Sequence, residues 1–169
     1  CYLIILEKTT TGSMDQGYDK NSPQSIEDFG KRLIGKTLRG VLGERVIPDS
    51  SLTAELDGRS RSAFGDLVER YYYGITPDNA SGAPDFPVAG VELKTTPLKK
   101  LKNGQYSAKE RLVLGLINYV TEAKVDFTSS SFFKKNQRLM LISYLHEKGV
   151  NVGDLLIKIA KLIDYDKLP

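Results

Sequence analysis

The sequence predicts an α/β domain, a mixed β-sheet with helices packed against it, and three observations point there. Segments whose apolar residues keep helical spacing are interleaved with short apolar runs of strand character. The clearest helix, Ser62 to Tyr73, is followed across a loop by the clearest strand, Gly90 to Thr96. A chain of 169 residues, 40% hydrophobic and 27% charged, can build one hydrophobic core of real size and is short for two.

Taken in order, residues 1–24 read as an N-terminal arm, loop or disordered, and 25–169 as the folded domain. In the arm, a short apolar run (Cys1 to Leu6) leads into a polar stretch rich in Thr, Gly, Asp and Asn. Ser25 is placed to cap a helix whose apolar positions are Ile26, Phe29, Leu33 and Ile34. Gly35 ends it, and Thr37 can cap a second short helix through Leu38, Val41 and Leu42. Pro48 to Arg59 reads as a polar connection. From Ser62 onward, Phe64, Leu67, Val68, Tyr71 and Tyr72 fall at i, i+3, i+4, i+7 and i+8, with Gly74 as a stop. Ile75 to Pro84 is a loop. Gly90 to Thr96 alternates as a strand and should end near Thr96-Pro97, because proline cannot donate to a central ladder. Glu110 to Tyr119 is rich enough in Leu, Val and Ile to be a buried strand, and Leu139 to Tyr144 is a third. Asn151 to Tyr165 reads as an amphipathic helix with Leu155, Leu156, Ile159 and Leu162 on one face.

Composition removes several chemistries. Cys1 is the only cysteine, so neither an intrachain disulfide nor a cysteine-based zinc cluster can form. His146 is the only histidine, and any histidine triad or histidine-metal centre would have to rest on it. No apolar run is long enough to span a bilayer and no signal-peptide pattern opens the chain, so a cytoplasmic, reducing setting and no membrane partner are expected. The first residue is Cys rather than Met, which suggests a fragment or a processed piece. The net charge is only +3, but Lys94, Lys99, Lys100, Lys102, Lys109 and Arg111 stand against one anion, Glu110, between positions 94 and 111. That concentration suits a polyanion.

Two patterns offer chemistry. Gly30-Lys-Arg-Leu-Ile-Gly35-Lys36-Thr37 satisfies the phosphate-loop expression literally. A phosphate loop needs a buried strand before it and a bare loop between its glycines. Here the preceding residues read as helix, and Leu33 and Ile34 belong to that helix's apolar face. The second pattern is Pro84-Asp85 followed by Glu92-Leu93-Lys94. In a strand, Glu92 and Lys94 project from one side about 7 Å apart, while Val91, Leu93 and Thr95 face the core. Asp85 precedes the strand and can reach the same edge. Two carboxylates make a hard-oxygen site for Mg²⁺. A lysine beside them can steady charge developing on phosphorus or help orient and deprotonate water. Taken alone the Glu-x-Lys spacing is common, and Glu122-Ala-Lys124 also matches it. The set at Asp85 differs in lying on an alternating strand that leads straight into the basic stretch. There Lys99, Lys100 and Lys102 should flank a reversal at Asn103-Gly104.

The segment Asp85-Phe-Pro-Val-Ala-Gly-Val-Glu-Leu-Lys-Thr-Thr-Pro resembles the active-site strand of the MutH family of GATC-specific DNA endonucleases, which are PD-(D/E)xK nucleases. The continuation from Leu98-Lys-Lys-Leu-Lys-Asn-Gly-Gln-Tyr-Ser-Ala-Lys-Glu-Arg through Asn118-Tyr119 is closer to that family's branch of type II restriction enzymes. Gly65-Asp-Leu-Val-Glu69 is similar to the helix that carries a further active-site glutamate. The resemblance runs from about Ser25 to Tyr144. It implies a restriction-endonuclease-like fold and Mg²⁺-dependent hydrolysis of double-stranded DNA at GATC. Asp85, Glu92 and Glu69 would hold the metal, with Lys94 beside them. A second active-site lysine following a Thr-Ser pair is implied as well. Thr128-Ser129 with Lys134 or Lys135 fits, and spacing does not choose between the two; Lys134 is assigned to the catalytic set. Lys99, Lys100, Lys102, Lys109 and Lys135 are assigned to the DNA backbone. A homodimer on DNA is compatible with this reading. The alternatives are a mismatch-repair nicking enzyme acting with a MutL-type partner, and a non-catalytic DNA-binding copy of the domain. The family's domain continues beyond a residue comparable to Pro169, so a C-terminal part is expected to be lacking.

Overall fold

Ser22, not Ser25, caps the first helix, α1 (Pro23–Lys31), accepting the Ser25 N–H on its hydroxyl. Pro23 at the first turn has no N–H to leave unsatisfied. These observations come from a computed structural model, which describes residues 17–43, 50–76, 82–115 and 124–167. Ile26, Phe29 and Leu33 are fully buried, whereas Ile34 is 46% exposed, because the helix gives way to a turn before it. The glycine at position 30 is therefore helical and packed: a methyl there would overlap Met140 and the Tyr73 hydroxyl. No phosphate loop exists at this place. α2 (Leu38–Gly43) starts behind Thr37, whose Oγ1 accepts the Gly40 N–H at 3.2 Å.

The stretch expected as a polar connection holds a helix, α3 (Ser50–Leu56), with Leu52 and Leu56 buried. Two apolar residues four apart make one contact face, too little signal to stand out among polar neighbours. Of the expected arm, residues 17–24 are described: 17–22 hold Tyr18 against α1, and Pro23 and Gln24 already belong to α1. Tyr18 stacks on Phe29 with ring centroids 4.4 Å apart and donates its hydroxyl to Tyr73 O at 2.7 Å. Residues 1–16 lie outside the described residues.

α4 (Arg61–Leu67), capped by Ser60, runs without a break into a π-helical segment, Val68–Tyr73, which Gly74 ends at φ +64°. A π turn takes more residues than an α turn. The apolar stripe therefore slips by one, so that Tyr72 and Tyr73, rather than Tyr71 and Tyr72, are the buried pair. Both phenols are satisfied by α1 carbonyls, Tyr72 on Phe29 O at 2.7 Å and Tyr73 on Ile26 O at 3.0 Å.

The four-stranded sheet has the order β2-β1-β3-β4. β1 (Val91–Lys100) is parallel to β3 (Arg138–Leu145) and antiparallel to the short β2 (Tyr106–Ala108); β4 (Ile157–Asp164) is antiparallel to β3. A short helix, α5 (Ser131–Asn136), leads into β3. Together these make a restriction-endonuclease-like mixed sheet flanked by helices. Val91, Leu93, Met140 and Ile142 form the core face with α1 and α4, all within 1% of full burial.

Three expectations fail here. β1 does not end at Pro97 but continues to Lys100. The Pro97 carbonyl accepts from Lys109 N, on the side away from β3. A residue's N and C=O share a side in a strand, so the missing N–H falls on that outer side, at the end of the pairing with β2, and no β1–β3 bond is lost. The predicted strand at Glu110–Tyr119 is irregular through Gly115, with Val113 73% exposed; residues 116–119 lie outside the described residues. The unpredicted β2 is the strand that pairs beside β1. The helix predicted over Asn151–Tyr165 is a 3₁₀ turn (Val152–Asp154) followed by β4. Ile157, Ile159 and Ile163 favour extended backbone, and β4 satisfies the edge of β3, which a helix cannot do. Among the described residues no helix is long and apolar enough to cross a membrane.

Candidate active site

Asp85 and Glu92 are seven residues apart, and a tight reversal brings them together. Phe86 and Val91 exchange both backbone hydrogen bonds, at 2.9 and 3.2 Å, around a turn that Gly90 closes at φ +63°. Along β1 the N–H groups of alternate residues point away from β3, and β2 covers only Leu98 to Lys100. The exposed edge is satisfied locally: Val91 N–H by Phe86 O, and Leu93 N–H by the Asp85 carboxylate at 2.8 Å. Asp85 returns its own N–H to Glu92 Oε2 at 3.2 Å. The carboxylate that chemistry would use is thus also the group that completes a sheet edge.

The period-two geometry places Glu92 and Lys94 side by side, with Lys94 Nζ 2.8 Å from Glu92 Oε1. Glu92 is 3% exposed. A carboxylate that deep requires cationic partners, and a second one comes from α5. Lys135 Nζ lies 3.7 Å from the same oxygen. Ser130 caps α5 through Phe133 N and so sets its rotation; neighbouring helical residues point about 100° apart. Lys135 therefore turns to Glu92, and Lys134 is exposed to solvent. Of the two lysines left open by spacing, the one assigned to the catalytic set is not the one the fold brings there.

Glu69 stands in the π segment, close enough to feel the charges of Asp85, Lys94 and Glu92. Its carboxyl is pushed up to about 7, first by burial and then by repulsion from Asp85 and Asp66; Lys94 opposes the shift and Glu92 adds to it. Asp85 is raised too, by burial and by Glu92, against the Leu93 N–H and the charges of Lys94 and Lys135. Asp66, one turn before Glu69, was not singled out from the sequence; its spacing of i−3 from Glu69 is the signal that could have found it.

The donor set suits a hard divalent cation. Asp85, Glu92 and Glu69 offer oxygens only; burial is the main reason that Asp85 and Glu69 hold their protons, and the repulsion among the three carboxylates, the lesser cause, is what a cation would relieve. The described residues do not gather three such side chains into a preformed cage. Lys94 and Lys135 are the cations that balance Glu92.

The basic stretch surrounds the β1–β2 hairpin. Lys99 and Lys100 close β1, Lys102 sits in the reversal that Gly104 makes at φ +83°, and Lys109 follows β2; all four are exposed. The second Glu-x-Lys match cannot be compared, since Glu122 lies outside the described residues.

A mixed sheet with an acidic pair and a lysine at the open edge of a central strand defines a PD-(D/E)xK-type core. Comparison with known proteins narrows the class. The family model described as DNA mismatch repair enzyme MutH matches residues 73–168, and the chain belongs to that family. It is also similar to the type II restriction enzyme Sau3AI of Staphylococcus aureus, 40% identical over 146 residues. That alignment covers 86% of this chain but 27% of the relative, so the chain spans about a quarter of the relative's length.

Proposed function

We propose that this chain is the nuclease unit of a type II restriction endonuclease, cutting double-stranded DNA at GATC with Mg²⁺. The observation that carries the reading is the cluster on the β1 edge, where buried Glu92 lies beside Asp85 and is contacted by both Lys94 and Lys135. Family membership and the restriction-enzyme relative support it.

Asp85, Glu92 and Glu69 would hold the metal. When bound, a divalent cation supplies Lewis-acid stabilisation of phosphoryl charge and acidifies water. The chain's residues do the rest. Lys94 and Lys135 present ammonium protons at Glu92, where they can meet the negative charge that accumulates on the phosphate oxygens. Without the cation, Glu69 keeps its proton up to about pH 7 beside Asp85, and binding of the cation would release it. Lys99, Lys100, Lys102 and Lys109 would contact the backbone, which sets register without reading bases. The setting is cytoplasmic, and pairing of two copies on DNA would allow both strands to be cut.

The test uses the full protein, Mg²⁺ and plasmids carrying or lacking GATC, in both methylation states. Cuts confined to GATC, dependent on Mg²⁺ and lost in Glu92→Gln, support the reading. Cleavage that ignores the site removes the assigned specificity, and nicking of one strand favours the mismatch-repair alternative. No cleavage under any of these conditions removes the nuclease assignment.

A further inference from the structure

We propose that the cleft beside Asp85 seats the deoxyribose-phosphate unit next to the bond that is cut, with Lys20 on its phosphate and Val88 against its sugar. This rests on the nuclease reading and extends it to the segment before α1, which that reading does not use. The cleft measures 360 Å³ and shares Asp85 with the carboxylate cluster. Ligand sites commonly span roughly 300–1,000 Å³, with apolar walls and a few placed polar groups. This one has both. Tyr18, Tyr73 and Phe86 supply aromatic lining and pack edge-to-face, with centroids 5.4 to 6.4 Å apart. Val88 also lines the cleft and is 78% exposed, on the turn that positions Asp85.

A single exposed valine is ordinary on a protein surface. Here it lines the same cleft as a catalytic-type carboxylate and a cation. Lys20 lines the cleft and has no ion-pair partner among the described residues, so its charge is available to an anion. Its backbone is held in place: Tyr18, two residues earlier, is fixed by its hydroxyl on Tyr73 O at 2.7 Å, and Asn21 N–H is bonded to Asp19 Oδ1 at 2.9 Å. Such preorganisation lowers the ordering cost of binding. A sugar-phosphate unit matches the lining, since its ring offers an apolar face and its phosphate a single negative charge. The strand then continues from this unit into the cluster at Asp85 and Glu92.

The experiment measures binding of a GATC duplex to the full protein, with Ca²⁺ in place of Mg²⁺, over a range of salt. It compares the parent with Lys20→Ala and Val88→Glu. Each phosphate near the cut is replaced in turn by an uncharged methylphosphonate. Lys20→Ala is expected to weaken binding about tenfold at low salt and to reduce the salt slope by about 0.9. One methylphosphonate adjoining the cut should weaken the parent similarly and cost Lys20→Ala nothing further, the non-additivity of a direct contact. Val88→Glu should weaken binding at the same place. Melting temperatures equal to the parent's show that the fold is intact. If Lys20→Ala binds like the parent, or if its loss adds to that of every methylphosphonate, the cleft is not a DNA subsite and the nuclease reading stands. A parent that binds no DNA overturns both.

Discussion

Replacing Lys94 by Met removes the ammonium 2.8 Å from Glu92 Oε1 while keeping most of the side-chain volume. Glu92 is 3% exposed, and its other cation, Lys135, is farther away at 3.7 Å. Stranding a fully buried charge costs about 3–5 kcal/mol. Lys135 remains and Lys94 is itself 24% exposed, so about 1–3 kcal/mol is expected here. For a domain of this size that lowers the melting temperature by about 2–10 °C. Adding Glu92→Gln to Lys94→Met should recover most of the loss, because the stranded charge is gone. Catalysis behaves differently: Lys94→Met should cut about 10²- to 10⁴-fold more slowly, with DNA affinity little changed, and the double variant should stay inactive. Thermal melts and a plasmid-cleavage time course on the three proteins measure both effects. A Lys94→Met variant that melts with the parent and cuts within about tenfold of it would refute the role derived from the pair.

The two α5 lysines separate cleanly: Lys135→Ala should slow cleavage at least about tenfold, whereas Lys134→Ala, turned about 100° away and exposed, should leave it within about twofold. A reversed order in cleavage assays would mean that α5 turns differently when DNA is bound. Glu69 gives a pH dependence. Its folded value of about 7 lies above the ordinary 4.5, so the folded state binds this proton more tightly. Its contribution is fully present below about pH 4.5 and is lost as pH rises towards 7. Metal-free melts of the parent minus those of Glu69→Gln should show that decline, and Mg²⁺ should stabilise the parent more at pH 7.5 than at pH 5.5. A flat difference curve would place Glu69 in water. Neutralising Lys99, Lys100 and Lys102 together should flatten the salt dependence of DNA binding by about 0.9 log units for each phosphate no longer neutralised, with site preference unchanged. An unaltered slope would put the DNA path elsewhere.

The sequence alone determined the elements whose signal is local. The strand over Gly90 to Thr96, the first turns of the helical stripe from Phe64 to Val68 and the glycine stop at 74 are short-range consequences of backbone geometry, and these are present, while the stripe slips by one beyond Val68. The set Asp85, Glu92 and Lys94 was legible for the same reason: a strand's period of two places the last two on one face without any tertiary information. What the sequence did not determine depends on partners distant along the chain. β4 carries spacing that also fits a helix, and the unfilled edge of β3 decides for strand. Pro97 lies inside β1 because its missing N–H falls on the side away from β3, so the β1–β3 ladder loses no bond. The π turns that carry Glu69, and the α5 rotation that turns Lys135 rather than Lys134 to Glu92, are settled by packing and capping geometry rather than by spacing. Local periodicity states which residues can share a face; which face meets which is a property of the assembled core.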